Sequence, residues 1–254
     1  MISYIKKFLE ELVLAVFSSS FYSCFVSNFY LEQNGPKSSN RGLFKWEEEA
    51  IKNFFPPPPA QILVGAAGGG REMLALSSLG YCVSGFEPIL VSANHARSVV
   101  PKDNLLAFNI AKYEDLVRRD LKEIEVYAPY DAIILGWGSI THILDTKMQK
   151  LILQKVRNLC PCGPILLSWL KAPYTSLKVK LLRKLFSMLR FKTYTDGDSF
   201  TFKMGFCHRF THDEIVDLVK SVGDSIAFYE DEKTYPHAVL LPVEVLHESS
   251  LSGS

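Results

Sequence analysis

The sequence has almost no excess of charge of either sign: 28 Lys and Arg stand against 27 Asp and Glu, a formal net charge of +1. No general field therefore draws the chain to a polyanion, and nucleic acid is not expected as a partner. Paired CxxC clusters are also missing. The five cysteines, Cys24, Cys82, Cys160, Cys162 and Cys207, are an odd number at spacings that do not build a zinc site. No metal is expected, and a reducing, cytoplasmic setting is the simplest one. Cys160 and Cys162 flank Pro161 just before Gly163 and read as part of a turn. Apolar residues are not scarce. At 48% of 254 residues they can fill the core of one α/β domain with decoration, and disorder is expected only at the ends.

Residues 12–31 form an uncharged run long enough to span a bilayer, but five serines and Asn28 lie inside it. Glu10 and Glu11 interrupt a signal-peptide layout, and no small-residue cleavage site follows. Helices packed on the main domain are the expected reading, with a membrane anchor or a signal as the alternatives. Asn34, Gly35 and Pro36 make a turn. Residues 46–55 read as a short helix with Glu47, Glu48 and Glu49 exposed, and Pro56 to Pro59 then form an extended spacer into the main domain.

Residues 61–88, QILVGAAGGGREMLALSSLGYCVSGFEP, carry the chemistry. Ile62, Leu63 and Val64 are the apolar run of a buried parallel strand, and Gly65, Gly68, Gly69 and Gly70 follow at once. Met73, Leu74, Leu76 and Leu79 then recur at helical spacing, Gly80 ends the helix, and residues 81–86 form a second strand closing on Glu87. Glycines let a ligand approach the backbone, and free amides at a helix N-terminus offer donors. An acid at the tip of the second strand can accept both hydroxyls of a ribose. A nucleoside cofactor fits this pattern. Gly65, Ala67 and Gly70 also satisfy a relaxed dinucleotide fingerprint, so a nicotinamide cofactor is an alternative at this point.

Residues 64–70, VGAAGGG, resemble the first motif of class I S-adenosylmethionine-dependent methyltransferases, and Glu87 matches the acid of their second. Two positions depart from the pattern: Val64, where the family often has an acid, and Ala66, where it has a first glycine. YDAIILGWGSITH, a strand over 131–135 running into a loop that ends at His142, resembles the fourth motif. The resemblance covers roughly residues 61–241. It implies S-adenosyl-L-methionine as cofactor, held by Gly65, Ala66, Gly68, Gly70, Glu87 and Pro88, with Asn109 near the adenine and Gly136 and Trp137 lining the site. His142 is the candidate catalytic base; capping the next helix is its alternative role. The acceptor is expected to be a small molecule, since caps and insertions, not core motifs, choose it.

The same resemblance implies a Rossmann-like, mostly parallel sheet of seven strands with helices on both faces. Its strand order is three, two, one, four, five, seven, six, the last strand antiparallel. Further strands are read at 104–110, 165–169, 225–229 and 237–241, and helices at 92–99 and 145–159. Thr211 and Glu214 form a capping box on the helix that follows. The expected division is an N-terminal helical cap over residues 1–55 and a methyltransferase domain over 56–254, with an insertion at about 171–207. Residues 171–192 hold seven basic residues and no acidic one. At about 100° per residue, Leu177, Leu181, Leu182, Leu185, Phe186, Met188 and Leu189 form one face, and Lys180, Arg183, Lys184 and Arg190 the other. This segment reads as a substrate-side cap, with an anionic membrane surface as the competing partner for it, as for residues 12–31. An Asp196-Gly197 hairpin signal precedes Phe200 to Phe202, so a small β-arm is expected. Tyr174 and Lys178, with Ser168, are the residues of a rival short-chain dehydrogenase reading; a non-catalytic scaffold is the other rival.

Overall fold

The computed structural model describes residues 2–16, 36–127, 129–172, 177–188, 197–232 and 235–243. Alternation of apolar side chains along the central strands determines the layering. In β1 (Gln61–Gly65), Ile62 and Val64 enter one core and Leu63 the other. β4 (Ala132–Leu135) and β5 (Ile165–Ser168) alternate in the same way, as strands buried on both faces must. One core is completed by α2 (Lys45–Phe54), α3 (Arg71–Ser78) and α4 (Leu90–Val99). The other takes α5 (Asp115–Arg118), α6 (Thr146–Leu159) and α8 (His212–Lys220).

With β2 (Cys82–Phe86), β3 (Leu105–Asn109), β8 (Asp224–Glu230) and β9 (His237–Pro242), the sheet runs β3-β2-β1-β4-β5-β9-β8. β9 is antiparallel to both β5 and β8, and the other pairs are parallel. This is the expected order with its reversed last strand. Asp145 caps α6 through the Lys147 amide, and Thr211 and Glu214 form the expected box on α8. α2 is no separate layer: Trp46, Ala50, Ile51 and Phe55 share a core with Ile62, Val64 and Met73.

A second unit joins α1 (Ile2–Val16), α7 (Leu177–Met188) and a two-stranded arm of β6 (Asp198–Thr201) and β7 (Gly205–His208). The arm turns at residues 202–204, not at the Asp-Gly pair. Gly205, with φ of +71°, supplies the left-handed residue that closes the loop, while Gly197 sits beside the Arg209 carbonyl. Residues 17–35 lie outside the described residues, as do Tyr174, Leu189, Arg190 and Asp196.

Arg183 departs from the face assigned to it. It turns inward, donating to Glu11 at 2.8 and 3.2 Å and to the Asp198 carbonyl at 2.8 Å, which ties α1, α7 and β6 together. Leu177, Leu181, Leu185 and Met188 are exposed in consequence. A buried carboxylate needs a cation, and that demand overrides helical amphipathicity here. Among the described residues no helix is long and apolar enough to cross a membrane.

Candidate cofactor site

The carboxyl ends of β1, β2 and β4 meet at one edge of the sheet, and the polar groups of the glycine-rich turn collect there. β1 ends at Gly65, paired with Phe86 on one side and Leu135 on the other. Glu87, the next residue after β2, is buried; its Oε2 accepts from the Gly68 amide at 2.9 Å and its Oε1 from the Ile89 amide at 2.9 Å. Burial raises its pKa, and the two amides pull it back. Each carboxylate oxygen keeps one lone pair for a ligand. Pro88 is exposed beside it. Gly68 is therefore placed by Glu87, across 19 residues of sequence.

The other glycines have local reasons. Gly70 starts α3 with φ of +85°, and a Cβ there would lie 2.9 Å from the Ala96 Cβ, so α3 and α4 approach only because it is glycine. A Cβ on Gly65 would come within 2.9 Å of the Tyr113 ring. Tyr113 is buried, shares a 2.7 Å hydrogen bond with Ser139 and meets Phe86 edge to face. Ala66 takes φ of +50° to turn the chain away from the strand.

After β4 the chain turns at Gly136 and Trp137 into a 3₁₀ turn over Ser139–His142. Trp137 has φ of +55°, and its buried Nε1 has no hydrogen-bond partner among the described residues. Its ring stacks on Phe44 at 5.9 Å, and Phe44 stacks on Tyr235 at 5.4 Å. Gly138 donates to the Ser168 hydroxyl at 2.8 Å, which commits Ser168 to holding this loop. His142 pairs through Nδ1 with the Phe206 carbonyl at 3.1 Å, so Nδ1 carries the proton and the loop is tied to β7. Burial lowers its pKa, against that hydrogen bond. Asn109 closes β3: its carbonyl accepts from the Glu87 amide at 2.9 Å and its Nδ2 donates to Glu125 at 2.9 Å.

Glu47 corrects the expected exposed face of α2, for it is fully buried. It accepts from both Arg71 Nη1 and Nη2 at 2.7 Å and from the Phe44 amide at 2.7 Å. Arg71 also donates to Glu72 at 2.6 Å and to the Gly42 carbonyl at 2.8 Å, and its guanidinium lies 4.1 Å from the Phe44 ring centre. Burial pushes the Glu72 carboxyl up to about 7, with Arg71 opposing. Sequence reasoning missed Phe44, Arg71, Glu72 and Tyr113. The available signal was an Arg-Glu pair directly after three glycines, in the first turn of a helix at a binding edge.

No protein-family model matches the sequence, and no curated protein matches it. Solved structures do match in fold. A Methanosarcina mazei S-adenosylmethionine-dependent methyltransferase superposes with a TM-score of 0.57 at 18% identity, covering 79% of this chain and 98% of that one. A Bacteroides fragilis S-adenosylmethionine-dependent methyltransferase in complex with S-adenosylhomocysteine gives 0.56 at 16%, covering 87% and 94%. The Burkholderia thailandensis 1,6-didemethyltoxoflavin N1-methyltransferase, with that compound and S-adenosylhomocysteine bound, gives 0.56 at 13%, covering 89% and 91%. The chain has the class I S-adenosylmethionine-dependent methyltransferase fold. Within this methyltransferase fold, Gly65, Ala66, Gly68, Gly70, Glu87, Gly136 and Trp137 share the carboxyl edge of the central strands. Asn109 lies one strand further out, and His142 turns towards the inserted arm.

Proposed function

We propose that this protein is an S-adenosylmethionine-dependent methyltransferase acting on a small-molecule acceptor in the cytoplasm. The observation that carries the reading is Glu87, which the Gly68 and Ile89 amides hold at the tip of β2 with lone pairs to spare. The donor set fits the cofactor: a buried carboxylate for the ribose diol and an indole N–H on the loop after β4 that has no partner among the described residues. The bound cofactor would supply an electrophilic methyl on sulfur. This chain's part is to bind, orient and keep water out. Gly65, Ala66, Gly68 and Gly70 shape the turn, Glu87 with Pro88 takes the ribose, Asn109 stands at the adenine end, and Gly136 and Trp137 border the reacting end.

His142 is assigned the proton. Its Nδ1–H is donated to Phe206, which puts the lone pair of the neutral ring on Nε2. Its lowered pKa keeps it neutral at pH 7, the state a base requires. The unit of α1, α7, β6 and β7 is assigned the acceptor side, since β7 is the element His142 meets. A neighbour of this fold that holds a heteroaromatic small molecule supports the acceptor class.

Calorimetric titration with S-adenosylmethionine, S-adenosylhomocysteine and nicotinamide dinucleotides in parallel tests the reading. Binding of the first two only is expected, and Glu87→Ala is expected to weaken it at least about tenfold, the loss of a charge-assisted hydrogen bond. Binding of the dinucleotide instead would favour the dehydrogenase, and binding of none a scaffold.

A further inference from the structure

We propose that Glu72 receives the α-ammonium of the cofactor's amino-acid end, and so is the residue by which this site distinguishes a nucleoside carrying an amino acid from one that does not. The proposal rests on the methyltransferase reading and extends it to a position outside the three matched motifs.

The argument begins with placement. Two buried carboxylates bracket the end of β1. Glu87 follows β2, the neighbour on one side, while Glu72 reaches the end of β4, the neighbour on the other. A Cβ built on Gly136, the first residue past β4, would lie 3.6 Å from Glu72 Oε1, in ordinary van der Waals contact, so the carboxylate lies beside this loop. If Glu87 takes the ribose, the opposite end of an extended nucleoside–amino acid points towards Glu72.

Charge is the second part. Glu47, Arg71 and Glu72 form one buried cluster of two carboxylates and one guanidinium. Arg71 is used up: it meets Glu47 with both terminal nitrogens and also donates to Gly42. Glu72 receives a single bond from it, at Oε1, and beyond that only its own backbone amide among the described residues. When all three groups are ionised the cluster carries one negative charge in excess in a dry place, where a compact cation is the complement that relieves the cost of burial. Burial raises the Glu72 carboxyl to about 7, with Arg71 opposing and Glu47 adding to the rise, and a cation seated beside it would favour the ionised form.

The third part is Val64. At the strand end, where the resembled motif often carries an acid, this chain has a valine that is 1% exposed and packed into the α2–α3–α4 core. No carboxylate can come from that position. The first turn of α3 supplies one from the next element. Trp137, one residue past Gly136, has a buried indole N–H without a partner among the described residues, as Trp46 does.

The experiment compares two ligands on three proteins by calorimetry. S-adenosylhomocysteine carries the amino acid, and 5′-methylthioadenosine has the same nucleoside and a thioether without it. For Glu72→Gln we expect S-adenosylhomocysteine to weaken at least about tenfold, the scale of a lost charge-assisted hydrogen bond, while 5′-methylthioadenosine changes by less than about twofold. Glu87→Ala is expected to weaken both alike. If Glu72→Gln leaves both affinities unchanged, or lowers both together, Glu72 merely supports Arg71 and the proposal is overturned. If Glu72→Gln does not fold, Glu72→Asp retracts the charge by one methylene, and the same split between the ligands is required of it. A parent protein that binds neither ligand refutes the methyltransferase reading itself, which is a different failure from the loss of selectivity.

Discussion

Arg71 and Glu47 meet edge to edge, Nη1 and Nη2 each 2.7 Å from a carboxylate oxygen, although 24 residues of sequence separate them. The guanidinium belongs to the first turn of α3, directly after the glycine turn, and the carboxylate to the first turn of α2. One buried ion pair thus fastens the segment that precedes the sheet to the element that shapes the candidate cofactor site. Phe44, held by Glu47 through its amide and by Arg71 over its ring, brings that segment against Trp137.

Removing the cation should be the most damaging single change in this corner. Arg71→Met would leave Glu47 and Glu72 buried together without their shared cation, Glu47 keeping only the Phe44 amide, and breaking a buried pair in this way costs about 3–5 kcal/mol. Urea denaturation monitored by tryptophan fluorescence should record a loss of that size. Glu47→Gln should cost less, because Arg71 retains Glu72 and Gly42.

Gly70 is required by packing as well as by any ligand. Gly70→Ala places a methyl 2.9 Å from the Ala96 Cβ at a φ of +85°. A loss of about 1–3 kcal/mol is expected. Ala96→Gly in the same background removes the Cβ contact but leaves the close Cα of residue 96, at 3.0 Å, and the backbone strain, so the double variant should recover part of the loss in denaturation, and no recovery would refute the Cβ contact.

Stability should depend on pH through Glu72 in a direction opposite to that of an ordinary ion-paired acid. Its carboxyl lies at about 7, above its usual 4.5, because burial outweighs the attraction of Arg71. Between these values the folded state holds a proton the unfolded chain has released. The contribution is full below the unfolded pKa and disappears as pH rises through the folded one. Relative to Glu72→Gln, the parent should gain on the order of 2–3 kcal/mol between about pH 7.5 and pH 4.5. A flat difference across that range would show the carboxyl to be ionised throughout.

His142 should behave in the reverse sense. Burial lowers its pKa from 6.5, so its contribution to stability is present above that value and is lost as pH falls through the folded pKa. Nitrogen-15 NMR should find the ring neutral at pH 6.5 with the proton on Nδ1. A midpoint at or above 6.5 would show that burial does not outweigh the Phe206 hydrogen bond at this ring.

The resemblance carried by its motifs implied the seven-stranded order; the sequence by itself determined the strand-turn-helix-strand unit, the acid at its end and the capping box of α8. These depend on periodicity and on neighbours a few residues apart, which a linear reading registers directly. The position of Glu87 was legible because it follows the end of a strand. Glu47 was not, since three consecutive glutamates in a short helix look solvated, and only the approach of Arg71 makes burial of one of them tolerable. Arg183 escaped for the same reason, its partner Glu11 lying 172 residues away. Gly65 and Gly70 were recognised, but part of their purpose lay in Tyr113 and Ala96, which reach them from other elements. Tertiary structure alone decided which charges are buried, because desolvation is tolerated only when a partner arrives through space, and no spacing along the chain encodes that arrival.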